Sequence, residues 1–137
     1  MVEETRKKIL IVDDNEDSRE LTAKVLKRFG YQIVEAIDGE EALAKAFSEK
    51  PDLILMDRSL PKIDGLEVTR RLKSDAKTKH ITILALTAHA MRGDREKALE
   101  AGCEGYISKP IDVRKLPEEV KAYLEGECGS ITSGEKN

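Results

Sequence analysis

Four short and nearly continuous apolar runs constrain the fold of this chain more than any other feature. A run that is apolar at successive positions is typical of a strand buried on both faces, as in a parallel sheet. A more polar run over 31–36 suits a strand at the edge of that sheet. The four runs are Ile9–Val12, Leu53–Met56, Ile81–Leu86 and the weaker pair Tyr106–Ile107.

Segments with helical periodicity separate these runs. Gly30 is expected just after the first helix, Asp38 is expected to cap the second, and Asp64 with Glu67 resembles a capping box for the third. Pro117 predicts that the regular part of the last helix begins near it. The predicted apolar stripes comprise Ser18, Leu21, Val25 and Phe29; Ala42, Leu43, Ala46 and Phe47; Ala98, Leu99 and Ala101 within 93–101; and Val113, Leu116, Val120 and Leu124.

The order of elements is β-α five times over. Strict alternation predicts an α/β fold, a doubly wound parallel five-stranded sheet with right-handed crossovers and helices on both faces. The predicted domain spans residues 7–125. Residues 126–137 are rich in Gly, Ser and polar side chains, which favours a flexible C-terminal tail.

Composition excludes several classes of function. The chain of 137 residues has 24 Lys+Arg against 27 Asp+Glu, a net charge of −3, and only 4% aromatic residues. It lacks the basic field and stacking platforms of a nucleic-acid binder. No apolar stretch approaches the ~20 residues of a membrane span, and no secretory signal precedes the two cysteines. We therefore expect a cytoplasmic protein with reduced thiols.

Polar side chains follow four of the five predicted strands. Asp13 and Asp14 follow the first run, Asp57 follows the third, Thr87 the fourth, and Lys109 comes soon after the fifth. In an open α/β sheet the ligand site lies at the carboxyl ends of the strands. Three carboxylates, a hydroxyl and an ammonium are therefore expected to meet at one edge of the sheet.

Such a group suits phosphoryl transfer assisted by a divalent ion. Clustered carboxylates repel one another unless a cation lies among them, and oxygen ligands suit Mg²⁺. A carboxylate can also act as a nucleophile toward phosphorus. Each residue alone has a simpler interpretation: Asp13 and Asp14 as helix caps, Lys109 as a solvated surface charge, and Thr87 as an ordinary strand residue.

Four segments carry a resemblance to a known family. Residues 9–15, 55–65, 85–88 and 105–110 together resemble the motifs of the receiver domains of two-component response regulators, and of stand-alone chemotaxis-type receivers among them. The resemblance extends over nearly the whole predicted domain. It implies a flavodoxin-like sheet of strand order 2-1-3-4-5.

The resemblance also implies roles for individual residues. Asp57 would accept a phosphoryl group from a phosphohistidine of a sensor histidine kinase or histidine phosphotransfer protein. Asp14, Asp57 and the backbone carbonyl of Ser59 would bind Mg²⁺ directly, and Asp13 mainly through water. Lys109 would pair with the phosphoryl group.

The remaining implied roles concern the response to phosphorylation. Thr87 would move toward the phosphoryl group, and Tyr106 would be the aromatic residue whose rotamer follows it. Leu60 stands where many members carry Met, a size-conserving change. Ser59 and His89 occupy variable positions that affect phosphoryl-group lifetime, so the sequence leaves that lifetime open.

The main hypothesis is that the chain is a single-domain receiver. Such a protein would catalyse its own phosphorylation and dephosphorylation and would not be a conventional enzyme. Its output would be contact with a downstream protein target. A haloacid-dehalogenase-type phosphatase is an alternative, but Asp57 is not followed by the second acid of its Asp-x-Asp motif. A flavin-binding flavodoxin relative is disfavoured, because the acidic segment 13–17 would repel a phosphate that lacks a covering metal. A degenerate receiver that serves only as a constitutive docking module is a third alternative.

Overall fold

Within the part of the chain that the structure describes, five strands and five helices alternate, as the sequence predicts. The structure is a computed structural model that describes residues 7–87 and 92–125. The predicted tail 126–137 and His89 lie outside the described residues. The elements are β1 (Lys8–Val12), α1 (Glu16–Arg28), β2 (Gln32–Ala36), α2 (Gly39–Glu49), β3 (Leu53–Asp57), α3 (Gly65–Lys73), β4 (Thr82–Thr87), α4 (Arg92–Ala101), β5 (Gly105–Ser108) and α5 (Leu116–Leu124).

The strands form one parallel sheet in the order β2-β1-β3-β4-β5, which confirms the predicted fold class and strand order. The register aligns the carboxyl ends of the central strands. Val12 at the end of β1 lies opposite Met56 of β3, and Asp57 lies opposite Leu86 of β4. The carboxyl ends of β1, β3 and β4 therefore meet at one edge of the sheet.

Helices cover both faces of the sheet, and each face has its own buried cluster. Ile9 and Ile11 of β1 point toward α1 and α5, while Leu10 and Val12 point toward α2, α3 and α4. All four side chains are fully buried. Burial on both faces explains why the central strands are apolar at every position rather than at alternate ones.

The predicted apolar stripe of α1 is wrong at Leu21 and Phe29, whereas Val25 packs, partly buried, against the core as predicted. Leu21 and Phe29 are 45% and 62% exposed, whereas the buried residues of this helix are Thr22, Ala23 and Leu26. The helix can bury this face because Ala23 is small and because the Thr22 hydroxyl donates to a backbone carbonyl one turn earlier, at 2.9 Å. Two competing stripes share α1, and burial selects the one with smaller side chains.

The other stripes are partly right. Their alanines are buried, as is Leu116, but Phe47 and Leu99 are 39% and 46% exposed. Val113 is exposed because α5 begins only at Leu116, with Pro117 in its first turn as predicted. In α2 and α4, therefore, small residues face the sheet and the larger neighbours lie at the margin.

The predicted caps mostly hold. Asp38 caps α2 by accepting the Glu41 N–H at 2.8 Å. Gly30 follows α1 with a φ of 90° and donates its N–H to the Lys27 carbonyl at 3.0 Å. The positive φ is the reason for glycine at this position.

The capping box at α3 is wrong in its second half. Asp64 caps the helix by accepting the Leu66 N–H at 2.7 Å. Glu67 instead pairs with Arg70 at 3.3 Å and Arg71 at 3.1 Å, one turn further along the helix. Ion pairs at helical spacing compete with the backward reach that a capping box requires.

Candidate functional site

Three carboxylates and one ammonium meet at the carboxyl edge of the sheet. Oxygens of Asp13, Asp14 and Asp57 lie within 4.8 Å of one another. The Lys109 Nζ lies 3.1 Å from Asp13 Oδ2 and 3.1 Å from Asp57 Oδ2. The structure therefore places together the charged residues that the sequence locates at three separate strand ends.

The turn between β1 and α1 holds two of these acids in different environments. The Asp13 N–H donates to the Ala36 carbonyl at 3.1 Å, and Asp13 Oδ1 accepts the Asn15 N–H at 3.0 Å. Asn15 in turn caps α1 by accepting the Ser18 N–H at 2.8 Å. Asp13 is fully buried as a result, whereas Asp14 is exposed at the mouth of the site.

Asp57 is the last residue of β3, and the turn that follows it is tightly packed. Its Oδ1 accepts the Ser59 N–H at 3.0 Å, and the Arg58 N–H donates to the Leu86 carbonyl at 3.0 Å. A Cβ added at Gly65 would overlap the backbone carbonyl of Asp57. Sequence reasoning missed Gly65, although a glycine directly after the helix cap is a signal for such close approach.

The loop between β3 and α3 also packs against the start of α2. Lys62 has a φ of 70°, and the Ile63 N–H donates to the Pro61 carbonyl at 2.8 Å, which forms a γ-turn of the strained, positive-φ type. A Cβ at Gly39 would overlap Ile63, and Lys62 lies 3.6 Å from the Asp38 carboxylate. The loop that carries Ser59 is thus supported by a second element.

Thr87 and Tyr106 lie on the neighbouring strands β4 and β5. Thr87 ends β4 with 7% exposure, and its carbonyl accepts the Lys109 N–H at 2.8 Å. Tyr106 lies opposite Ala85 in β5 and packs, half-buried, against the cluster under α2, α3 and α4. Thr87 is therefore joined through its backbone to Lys109, and it lies beside β5, the strand that carries Tyr106.

Burial and charge set the protonation of the site. Burial raises the pKa of Asp57 to about 6, and the adjacent Asp13 adds to the rise, although the Ser59 N–H and Lys109 oppose it. Burial also raises the pKa of Asp13, but the hydrogen bond from the Asn15 N–H and the adjacent Lys109 ammonium outweigh it, and the net shift is downward. The pKa of Lys109 is lowered by burial yet rises overall, because Asp13 and Asp57 favour its charged form.

The residues fit a hard divalent cation. With all groups ionised, three carboxylates face one ammonium, an excess of negative charge in a partly dry site. The buried Asp13 Oδ2, although at ion-pair distance from Lys109, makes no hydrogen bond of good geometry within the described part of the chain. Few carboxylates and remaining space for water are the conditions that Mg²⁺ prefers.

The raised pKa of Asp57 predicts a pH dependence of stability for the metal-free protein. The folded state binds the Asp57 proton more tightly than the unfolded state, whose ordinary value is 3.8, so this stability is present below about pH 4 and is lost as pH rises through about 6. We expect a loss of about 3 kcal/mol, since the pKa of Asp57 rises from 3.8 to about 6 and one pKa unit corresponds to about 1.4 kcal/mol.

Urea unfolding of the wild type and of Asp57→Asn across this pH range measures the effect. The difference between the two proteins isolates Asp57 from other titrating groups, and Mg²⁺ should flatten it because the cation favours the ionised carboxylates. A difference that stays constant from pH 4 to pH 7 would contradict the assignment.

Comparison with known proteins identifies the class. A family model described as the response regulator receiver domain matches residues 9–121. The chain belongs to this family and is a receiver of two-component signalling. It is similar to the polar-differentiation response regulator DivK of Brucella anthropi, with 47% identity over 118 residues that cover 86% of this chain and 96% of that protein.

Solved structures of receiver domains are similar to this chain over most of its length. The receiver domain of sensor histidine kinase PA1611 from Pseudomonas aeruginosa, with a magnesium ion coordinated in its active-site cleft, has 33% identity and a TM-score of 0.82, covering 88% of this chain and 99% of that one. The chemotaxis response regulator CheY4 of Vibrio cholerae has 30% identity and a TM-score of 0.81, covering 85% and 98%. Together they confirm the resemblance seen in the sequence.

The length and apolar character of a helix decide whether it can cross a membrane. Within residues 7–87 and 92–125, no helix combines the length and the apolar character that crossing a membrane requires.

Proposed function

We propose that this chain accepts a phosphoryl group on Asp57 from a phosphohistidine donor, in a Mg²⁺-dependent reaction, and signals through protein contacts. The observation that carries the proposal is the placement of Lys109 Nζ 3.1 Å from both Asp57 and the buried Asp13. An ammonium and a cation site beside a strand-end carboxylate are what phosphoryl transfer asks of a protein.

The transfer step is a substitution at phosphorus. An oxygen of the Asp57 carboxylate forms a bond to the phosphorus atom as the bond from phosphorus to the donor imidazole nitrogen breaks. The electron pair of that bond stays on the imidazole nitrogen. Lys109 lies where it can stabilise the charge on the transferred oxygens, and the Ser59 N–H holds the other carboxylate oxygen.

Mg²⁺ would be held by Asp14, Asp57 and the Ser59 backbone carbonyl, with Asp13 contributing mainly through water. Bound there, the ion supplies positive charge that offsets repulsion between the carboxylates and the incoming phosphoryl group. The exposed position of Asp14 suits direct access to a hydrated ion, while the buried Asp13 already pairs with Lys109.

Phosphorylation would act as a switch through Thr87 and Tyr106. It adds negative charge and acceptor oxygens beside Lys109. The Thr87 hydroxyl, at the end of the neighbouring strand, would donate to a phosphoryl oxygen and draw the strand end inward, and Tyr106 would fill the space. The face of α4, β5 and α5 would then change for a partner that prefers one of two states.

Receiver domains interact with histidine kinases and downstream targets, and a receiver of this kind takes its signal from one and passes it to the other. For this chain we propose a sensor histidine kinase or histidine phosphotransfer protein as donor and a protein as target, with residues 7–125 as the receiver unit. The composition supports a cytoplasmic location and gives no basic surface for direct binding of nucleic acid.

Incubation with acetyl phosphate tests the proposal directly. In the presence of Mg²⁺ we expect one phosphoryl group per chain, stable in acid and labile in alkali as an acyl phosphate is, and no labelling when EDTA removes the metal. Intact-protein mass spectrometry counts the groups. A phosphorylated histidine phosphotransfer protein then serves as the natural class of donor.

The alternatives give different results in the same assay. A degenerate docking module would take up no phosphoryl group under any condition. A haloacid-dehalogenase-type phosphatase would release phosphate steadily from p-nitrophenyl phosphate. Either outcome would overturn the proposal.

A further inference from the structure

A buried arginine outside the family motifs contacts the acidic turn. Arg19 lies in the first turns of α1, with its side chain only 14% exposed. Its Nη1 donates to the backbone carbonyl of Asp13 at 2.9 Å, and its Nε donates to Glu35 Oε1 at 2.9 Å. One guanidinium thus joins the β1–α1 turn to the edge strand β2.

The backbone of Glu35, the ion-pair partner of Arg19, is held by its neighbours in the fold. Glu35 lies opposite Ile11 in the parallel pair of β1 and β2, so its backbone position is set by the sheet. Lys45 of α2 donates to the Glu35 backbone carbonyl at 2.5 Å. Arg19 therefore links the edge strand β2 to the turn that carries two of the three acids.

The contact to the Asp13 carbonyl orients the next residue. The Asp13 carbonyl and the Asp14 N–H belong to one planar peptide unit, so a hydrogen bond to the oxygen fixes the plane from which Asp14 projects. Asp14 is exposed, and the direction of its side chain toward the other oxygens depends on its backbone. The charge of Arg19 is offset by Glu35, so the effect is one of orientation rather than of added positive charge.

We propose that Arg19, anchored by Glu35, is a positioning residue that holds the Asp13–Asp14 peptide in the orientation that binds Mg²⁺. This inference rests on the proposed function only in taking Mg²⁺ as the ion of the site. Residues that orient metal ligands without touching the metal typically contribute about 10–100-fold to metal affinity or activity. Because water supplies part of the Mg²⁺ coordination, we expect the lower end of that range.

The test is a Mg²⁺ titration of variants, followed by the amide NMR shifts of Asp14 and Asn15. Arg19→Ala should weaken Mg²⁺ binding about 10-fold. Arg19→Lys should recover part of the affinity, since an ammonium can reach one of the two acceptors. Glu35→Ala, which keeps the arginine but removes its anchor, should give an intermediate loss.

Lys73→Ala is the matched control. The Lys73 side chain is 16% exposed, and its Nζ bonds the Glu104 carboxylate at 2.8 Å and the Ile81 carbonyl at 2.5 Å, at the opposite edge of the sheet. It therefore copies the burial and the kinds of contact of Arg19 without touching the site. Urea unfolding of each variant reports any general loss of stability.

The outcomes separate this inference from the proposed function. Arg19→Ala and Glu35→Ala with wild-type Mg²⁺ affinity would overturn the inference, as would an equal loss in Lys73→Ala. If Arg19→Ala does not fold, Arg19→Lys and Glu35→Ala decide the matter on the same criterion. A wild-type protein that neither binds Mg²⁺ nor accepts a phosphoryl group would instead refute the proposed function itself.

Discussion

Asp57→Asn is expected to abolish stable phosphorylation by acetyl phosphate. The amide that replaces the carboxylate has no nucleophilic oxygen anion, while its size leaves the packing around the end of β3 unchanged. The variant should also remain folded, and at neutral pH it should be more stable than the metal-free wild type because it removes a buried charge beside Asp13. Intact-protein mass spectrometry after incubation with Mg²⁺ and the donor measures the loss.

Asp75→Asn is the control for this experiment. Asp75 lies in the loop between α3 and β4, where its carboxylate accepts the Lys77 N–H at 2.8 Å, away from the acidic cluster. The Asp75→Asn variant should take up as much phosphoryl group as the wild type. Undiminished labelling of the Asp57→Asn protein would remove Asp57 from the role of phosphoacceptor, whatever the result for Asp75→Asn.

Gly65→Ala is expected to combine a large loss of stability with a large loss of phosphorylation. The added Cβ would overlap the Asp57 carbonyl, a backbone atom held by the central strand, so neither partner can yield by rotating a side chain. Overpacking of this kind costs about 1–3 kcal/mol. A reacting group misplaced by about 1 Å can slow a reaction about 100-fold. Urea unfolding and the initial rate with acetyl phosphate measure the two losses.

Gly105→Ala provides a matched comparison. A Cβ at Gly105 would overlap the hydroxyl of Tyr123, the far end of a side chain that can move aside. The same substitution should therefore cost less stability there and leave the phosphorylation rate near that of the wild type. If both variants lose phosphorylation to the same extent, the close approach at Gly65 does not position Asp57.

The sequence was sufficient to predict the sheet and the members of the charged group. Runs such as Leu53–Met56 are apolar throughout because the strand is covered on both faces, and their short length favours central strands over helices. Parallel pairing then aligns the residues that follow those strands, and Asp13, Asp57 and Lys109 meet as expected. This inference needs only the order of elements and the position of each residue relative to its strand.

The sequence was less able to predict which face each helix buries and which residues of different elements touch. The stripe of α1 that contains Leu21 and Phe29 has the larger apolar side chains, yet the structure buries Ala23 and Leu26. Periodicity alone ranks stripes by hydrophobicity and does not measure how closely a helix approaches the sheet. The contact of Arg19 with Glu35 joins a helix to a different strand, so no local pattern indicates it. The close approach of Gly65 to Asp57 has a local signal, because the glycine directly follows the helix cap.

Every charged group of the site lies at or just beyond a strand end, while the outward faces of the helices take no part in it. Leu21 and Phe29 on α1 illustrate the separation, since they are largely exposed and do not belong to the charged group. The charged site and the exposed helix faces are therefore different surfaces of one small domain. After a gene duplication, substitutions on the helix surfaces alone could therefore change which protein binds, while the residues at the strand ends stay the same.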